Sequence, residues 1–213
     1  MEDSTTKEKI LKEVRNALIS KLENPFKDVD FSKSILQEMK ELPEVEFALN
    51  LNNVGGIFVY CENEKMFTEH LQTLIKHKKW KSVYTQDDKL FNLLTQTNIS
   101  VDTDPANFNN QVAGVTRCEF LVARFGSVVV SSALSSGRRM FVYPEVHIVY
   151  STSSQVVKEL KDALTGLKNK YSDGFPSQIT MITGPSRTAD IEKTLVMGAH
   201  GPKELYVFMV DDL

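Results

Sequence analysis

The run Ile179-Thr-Met-Ile-Thr-Gly-Pro-Ser-Arg-Thr-Ala-Asp-Ile-Glu192 concentrates anion-binding side chains directly after an apolar segment. Thr183, Ser186 and Thr188 supply hydroxyl donors. Arg187 supplies a forked cation suited to a carboxylate or phosphate. Gly184 permits a tight turn and close approach of a ligand. Pro185 suits the first position of a helix, where its missing N–H costs nothing. A helix from Ser186 to Met197 would then present free amides and a positive dipole end, which is an anion seat. Asp190 falls one helical turn after Ser186 and could orient Ser186 or Arg187. A capped helix with a surface arginine is the other account of the same residues.

A second glycine-rich loop follows, Gly198-Ala-His-Gly-Pro202. His200, beside Gly201, is a candidate acid, base or anion donor, or a plain turn histidine. In a parallel sheet this loop leads into a strand, whereas the Thr183 loop leaves one. The two would share a pocket only if the last strand ran antiparallel.

Weaker candidates lie upstream. Thr116-Arg-Cys-Glu119 has the spacing of a capping box; Glu119 could be a catalytic carboxylate, but the cap already accounts for it. Gly126 and Ser127 precede a β-branched strand. Ser131, Ser132, Ser135, Ser136, Arg138 and Arg139 follow it and could complete an anion pocket, or form a solvated turn. His147 is expected on a sheet face, and His70 and His77 on a helix surface. No His-x-x-x-His, Gly-x-Ser-x-Gly, Walker or Gly-x-Gly-x-x-Gly pattern occurs. No metal ligand set is expected.

The elements that must position these residues follow from periodicity. Ile10, Leu11, Val14, Leu18, Ile19 and Leu22 predict an amphipathic helix over 7–22, ended by Asn24-Pro25. A second short helix is expected over Ser32–Leu42. Glu46–Leu51 and Gly56–Cys61 read as strands joined by an Asn/Gly-rich hairpin turn. Helices are predicted at 63–78, Asp88–Gln96 and 153–168, a short one after Thr116, and strands at Ser82–Thr85, Val112–Val115, Ser127–Ser131, Val146–Tyr150, Gln178–Ile182 and Leu205–Val210. Residues 102–110 are expected as a loop. Strands alternating with helices imply a largely parallel α/β sheet. The expected organisation is a helical N-terminal extension, residues 1–42, and one α/β domain, residues 43–213.

Composition sets the bounds. The 213 residues are 41% hydrophobic and 25% charged, an ordinary globular balance. A net charge of −3 and a pI near 5.9 exclude a basic nucleic-acid track. Cys61 and Cys118 are the only cysteines. Two thiols cannot build a disulfide scaffold, a four-cysteine zinc site or an iron–sulfur cluster. The start, Met1–Glu8, is polar and mixed in charge, unlike a secretory leader. The apolar runs are about five residues, against about 20 for a membrane span. A cytoplasmic chain is expected.

The run Ile182–Glu192 with Gly198–Pro202 resembles the C-terminal signature of the LUD (lactate utilization) domain family. Gly114-Val-Thr116, Ala123–Ser127 and Tyr143-Pro144 with His147-Ile-Val149 also match it. The resemblance is sharp over residues 112–212 and loose before them. One departure stands out: Arg124-Phe125 precede Gly126, where the family usually has an acidic residue and a threonine. The resemblance implies a layered α/β fold like the NagB/RpiA/CoA-transferase group. It implies a part in oxidising L-lactate to pyruvate, shared with an iron–sulfur protein and a cysteine-rich subunit that carry the clusters. This chain would then bind no cofactor and act as an accessory subunit, taking a small carboxylate or phosphate at Thr183–Arg187. The alternative is an independent enzyme on a CoA-transferase-like or formyltetrahydrofolate-cycloligase-like scaffold, acting on a phosphorylated or nucleotide substrate.

Overall fold

A computed structural model describes residues 5–19, 26–30, 36–191 and 194–213, with the side chains of 189–195 left aside. Packing divides the chain into residues 1–38 and residues 39–213. Among the described residues of the first unit, Thr6–Ile19 form a helix, α1.

The second unit begins with α2 (Pro43–Asn53), β1 (Ile57–Cys61), α3 (Glu64–Lys78), β2 (Val83–Tyr84), α4 (Asp88–Gln96) and β3 (Val101–Asp102). It continues with β4 (Ala113–Arg117), β5 (Phe120–Val122), β6 (Ser127–Ser131), β7 (Val146–Thr152), β8 (Val156–Val157) and α5 (Leu160–Lys170). It closes with β9 (Ile179–Ile182), β10 (Arg187–Ile191), β11 (Thr194–Met197) and β12 (Glu204–Val210).

Six strands form a parallel sheet in the order β1-β12-β7-β4-β2-β3. Its strands are rich in β-branched and aromatic residues, and both faces are covered, as parallel sheets require. On one face α3 and α4 bury Phe67, Leu71, Leu90 and Leu94 against Val115, Ile148 and Phe208. Phe67 meets Tyr150 and Phe208 edge to face, with centroids 4.9 and 5.3 Å apart. On the other face, α2 and a second sheet in the order β8-β5-β6-β9 enclose Phe47, Leu51, Leu121, Val128, Val149 and Val207.

The predicted α/β class with a largely parallel sheet is what the chain adopts. Several elements differ. Glu46–Leu51 is helical, inside α2: Pro43 opens that helix at its first turn rather than ending an earlier one. Phe47 and Leu51, four residues apart, are buried, while Val45 and Leu49 of the same alternating run are exposed. The expected helix at Ser32–Leu42 is not helical over 36–42, and 31–35 lie outside the described residues. Thr116–Glu119 does not cap a helix; it crosses from β4 into β5, with Thr116 held in the strand ladder. The predicted helix at 153–168 starts only at Leu160, because Val156 and Val157 pair with Leu121 and Val122. Residues 105–110 form a 3₁₀ turn capped by Asp104, not an irregular loop.

The largest difference concerns Ser186–Met197. This segment is the hairpin β10–β11, with Arg187 opposite Met197 and Thr188 opposite Val196. The Ser186 N–H donates to the Pro202 carbonyl at 2.8 Å, and Gly198 N–H donates to the Ser186 carbonyl at 2.9 Å. These bonds commit the backbone to an extended path where a helix would need its free amides.

Candidate functional site

The hairpin brings the two glycine-rich loops together. Ser186 touches Gly201 and Pro202 although β12 runs parallel to its neighbours. The expected objection to a shared site is therefore absent, for a reason outside the sheet: a hairpin returns the chain to its start, as a single helix would not.

The corner itself is packed. Gly184 and Pro185 are buried. Gly184 has φ +74°, and a Cβ there would collide with the Val54 carbonyl. Arg187 donates from Nη2 to that same carbonyl. Thr183 Oγ1 and Ser127 Oγ are 2.8 Å apart, extending the β6–β9 pairing by one residue. Thr188 is half-buried and His200 exposed. Asp190 lies on β10, and its side chain is outside the described set. With no helix starting at Ser186, the dipole argument for an anion seat there no longer applies.

Gly126 lies behind this corner. It has φ +59°, and a Cβ would strike the backbone at Asn50 and Leu51. Asn50 Nδ2 donates to the Ala123 carbonyl at 3.0 Å. Arg124, where the sequence departs from the family pattern, pairs with Glu159 at 2.5 Å. Arg138 reaches Ser177 Oγ, 2.5 Å away, on the surface.

A second region has more chemistry. The order β1-β12-β7-β4-β2-β3 contains a switch point between β4 and β2. From β2 the chain passes outward through α4 to β3, and from β4 it goes the other way, to β7. In open α/β sheets ligands sit in the crevice outside the carboxyl ends at such a point. Here that crevice is a cleft of about 470 Å³, walled by residues of α4, by Arg117 at the end of β4 and Cys118 just after it, and by Tyr150, Thr152, Gln155 and Lys170.

Two buried carboxylates aim the cations of this cleft. Asp87, 1% exposed, caps α4 by accepting from Lys89 N and Leu90 N at 3.1 and 3.2 Å. Its Oδ2 accepts from Arg117 Nε at 2.7 Å and Ser135 Oγ at 2.8 Å. Burial alone would raise the Asp87 pKa, but Arg117, Ser135 and the Leu90 amide hold it below the ordinary value. Glu119, 3% exposed, accepts from Lys170 Nζ at 2.7 Å, Tyr171 OH at 2.8 Å and Ser131 Oγ at 2.5 Å. Burial opposes its charge too, and these donors again bring the carboxyl below its usual range. Both carboxylates are thus ionised and spent. Arg117 keeps guanidinium N–H groups for a ligand, and Lys170 is half exposed beside it.

Thr116 Oγ1 lies 2.8 Å from His147 Nε2, within the sheet. Burial pushes the His147 pKa down to about 4. This is a neutral core histidine, as its sheet-face position predicts. Among the described residues no group of three His, Cys, Asp or Glu side chains is placed to hold a metal ion. No described helix is long and apolar enough to cross a membrane.

Glu119, a candidate from the sequence, is a buried carboxylate hydrogen-bonded to Lys170, Tyr171 and Ser131 rather than part of a helix cap. Sequence reasoning missed Asp87, Arg117 and Lys170. Asp87-Asp88 before an apolar-periodic helix was a legible cap signal. Nothing local marks Lys170.

A doubly covered parallel sheet, an added small sheet and a polar cleft at the switch point define a layered α/β architecture. The chain belongs to the LUD domain family, matching it over residues 45–210. It is 37% identical over 167 residues to lactate utilization protein C of Bacillus velezensis, covering 74% of this chain and 64% of that protein. It is 31% identical over 160 residues to the protein of that name from Geobacillus thermodenitrificans, again 74% and 64%. Lactate utilization protein C of Bacillus licheniformis is 39% identical over 101 residues, 46% of this chain and 42% of that one. The matched stretches thus span 42–64% of these relatives' lengths. A crystal structure of a DUF162 family protein from Deinococcus radiodurans shares the fold, with a TM-score of 0.60 at 15% identity over 79% of this chain and 96% of that one.

Proposed function

We propose that this chain is an accessory subunit of a system that oxidises L-lactate to pyruvate, and that it holds an anionic small molecule, a carboxylate or phosphate, at the switch-point cleft. The role is supported by the LUD domain match and by the names of relatives at 31–39% identity. The LUD resemblance implies that clusters carrying the electrons would sit on an iron–sulfur protein and a cysteine-rich subunit, and the two cysteines of this chain are both buried and free.

The observation that carries the anion seat is Arg117, fixed by a fully buried Asp87 at the carboxyl end of β4. A cation held on one edge by a buried carboxylate presents its remaining N–H groups at little further entropic cost. Arg187, the arginine expected from sequence, gives its guanidinium to the Val54 carbonyl instead.

Affinity capture of the full chain from its native cell, grown on L-lactate, tests the assembly. Recovery of an iron–sulfur protein in stoichiometric amount is expected. Recovery of this chain by itself under those conditions contradicts the subunit role.

A further inference from the structure

We infer that the ligand of the switch-point cleft is a nucleoside monophosphate, its phosphate at Arg117 and its base along α4. This inference rests on the cleft being the anion seat proposed above, and concerns what the rest of the cleft is for.

Size is the first argument. The cleft measures about 470 Å³, within the roughly 300–1,000 Å³ of pockets that hold drug-sized ligands. L-lactate has six non-hydrogen atoms and reaches about 5 Å end to end with bonds of about 1.5 Å. It would leave most of the space wet.

Length and direction are the second. Lys89, Asn92, Leu93 and Gln96 all line the cleft. Their spacing of three and four residues puts them on one stripe of α4. From Lys89 to Gln96 the stripe runs about 10 Å along the axis, at 1.5 Å per residue. That is twice the reach of lactate and suits the span from a phosphate to the far edge of a base.

The chemistry changes along this stripe. At the amino end stand Lys89 and Arg117, which hydrogen-bonds the α4 cap Asp87, while Lys170 lines the same cleft. Farther along come the side-chain amides of Asn92 and Gln96, with the apolar Leu93 between them. An amide both donates and accepts, which matches the mixed edge of a heterocyclic base and is wasted on a bare acid. Tyr150 and Leu134 add apolar surface to the same cleft, for the faces of a ring. Three cations face the single wall carboxylate, Glu64, and Glu64 is engaged by the Tyr150 hydroxyl at 3.0 Å. Asp87 and Glu119 lie behind the cations and are occupied in holding them. A phosphate monoester uses this excess of donors better than a monocarboxylate.

Calorimetric titration of the full chain with AMP, CMP, inorganic phosphate and L-lactate tests the inference. AMP or CMP is expected to bind at least tenfold more tightly than phosphate or lactate. In Asn92→Ala and Gln96→Ala, both exposed positions, the ratio of nucleotide to phosphate affinity is expected to fall at least threefold. Lactate binding with no preference for either nucleotide overturns the inference and leaves the anion seat standing. No binding of any of the four overturns both. Nucleotide binding whose ratio to phosphate is the same in both variants places the base elsewhere and also overturns it.

Discussion

The Arg187 guanidinium donates to the main-chain carbonyl of Val54, 133 residues earlier in the chain. That bond ties the family's glycine–proline corner to the turn between α2 and β1. Gly184 serves the same junction, since only a residue without a Cβ lets the Val54 carbonyl approach. Residues that read as a ligand grip in the sequence thus act as a clasp between distant segments.

Arg187→Ala is accordingly expected to destabilise the fold by about 1 kcal/mol, the worth of one hydrogen bond to a charged group discounted for its exposed position. Urea denaturation should show a lower midpoint with an unchanged slope. An unchanged midpoint would mean that the bond contributes nothing in solution.

Gly126 makes a sharper test of the same junction. Gly126→Ala adds left-handed strain of about 1–2 kcal/mol and a collision with α2 backbone that no side-chain rotation relieves. We expect a loss of about 3 kcal/mol or more. Gly174→Ala is the control, because nothing lies within 4 Å of its added methyl; its effect should stay within about 1 kcal/mol. Thermal melts of both variants compare them directly, and equal melting temperatures would contradict the packing.

His147 predicts a pH dependence. Its folded-state pKa falls from 6.5 to about 4 because burial disfavours the charged ring. Between those values the unfolded chain binds the proton and the folded chain does not, so stability drops as pH falls through this window. The full drop is about 3 kcal/mol at 1.36 kcal/mol per unit. His147→Gln keeps a polar partner for Thr116 and removes the titration. Its stability should be flatter than wild type between pH 6.5 and 4; parallel curves would rule the histidine out as the cause.

Glu119 acts in a different pH range. Its carboxyl is held below 4.5, so its contribution is present above that value and is lost as pH falls through the lower folded-state pKa. Lys170→Met removes one donor while burial stays. The variant should lose about 1–2 kcal/mol at neutral pH, since Lys170 is half exposed, and should unfold at a higher pH on acidification. Circular dichroism during an acid titration measures this. Coincident acid transitions would show that Lys170 does not stabilise the buried charge.

Legibility of the fold followed locality. Asp88–Gln96 and Ser127–Ser131 were readable to the residue, because one period and a clear boundary agreed. Glu46–Leu51 was not: its alternation suits a strand, and only burial of Phe47 and Leu51 under the second sheet makes it helical. Ser186–Met197 carried a helix-start signal that lost to long-range bonds from Pro202 and Gly198. The second sheet was invisible as a whole because, beyond the local β5–β6 hairpin, its pairings join residues far apart, such as Val130 with Thr180. At the site, residue types were legible but roles were not. Arg187 has the right chemistry for an anion yet meets a carbonyl. Arg117 sits in an unremarkable strand end, and its importance comes from Asp87, thirty residues earlier.

Arg117 and Arg187 are the two arginines that compete as the seat of the anion. Calorimetric titration of inorganic phosphate into wild type, Arg117→Ala, Arg117→Lys and Arg187→Ala decides between them. Binding is expected in wild type and in Arg187→Ala alike. Arg117→Ala should bind at least tenfold more weakly, and Arg117→Lys, which keeps a charge beside Asp87, should fall between. Full affinity in Arg117→Ala together with a tenfold loss in Arg187→Ala would return the site to the glycine–proline corner and contradict the cleft.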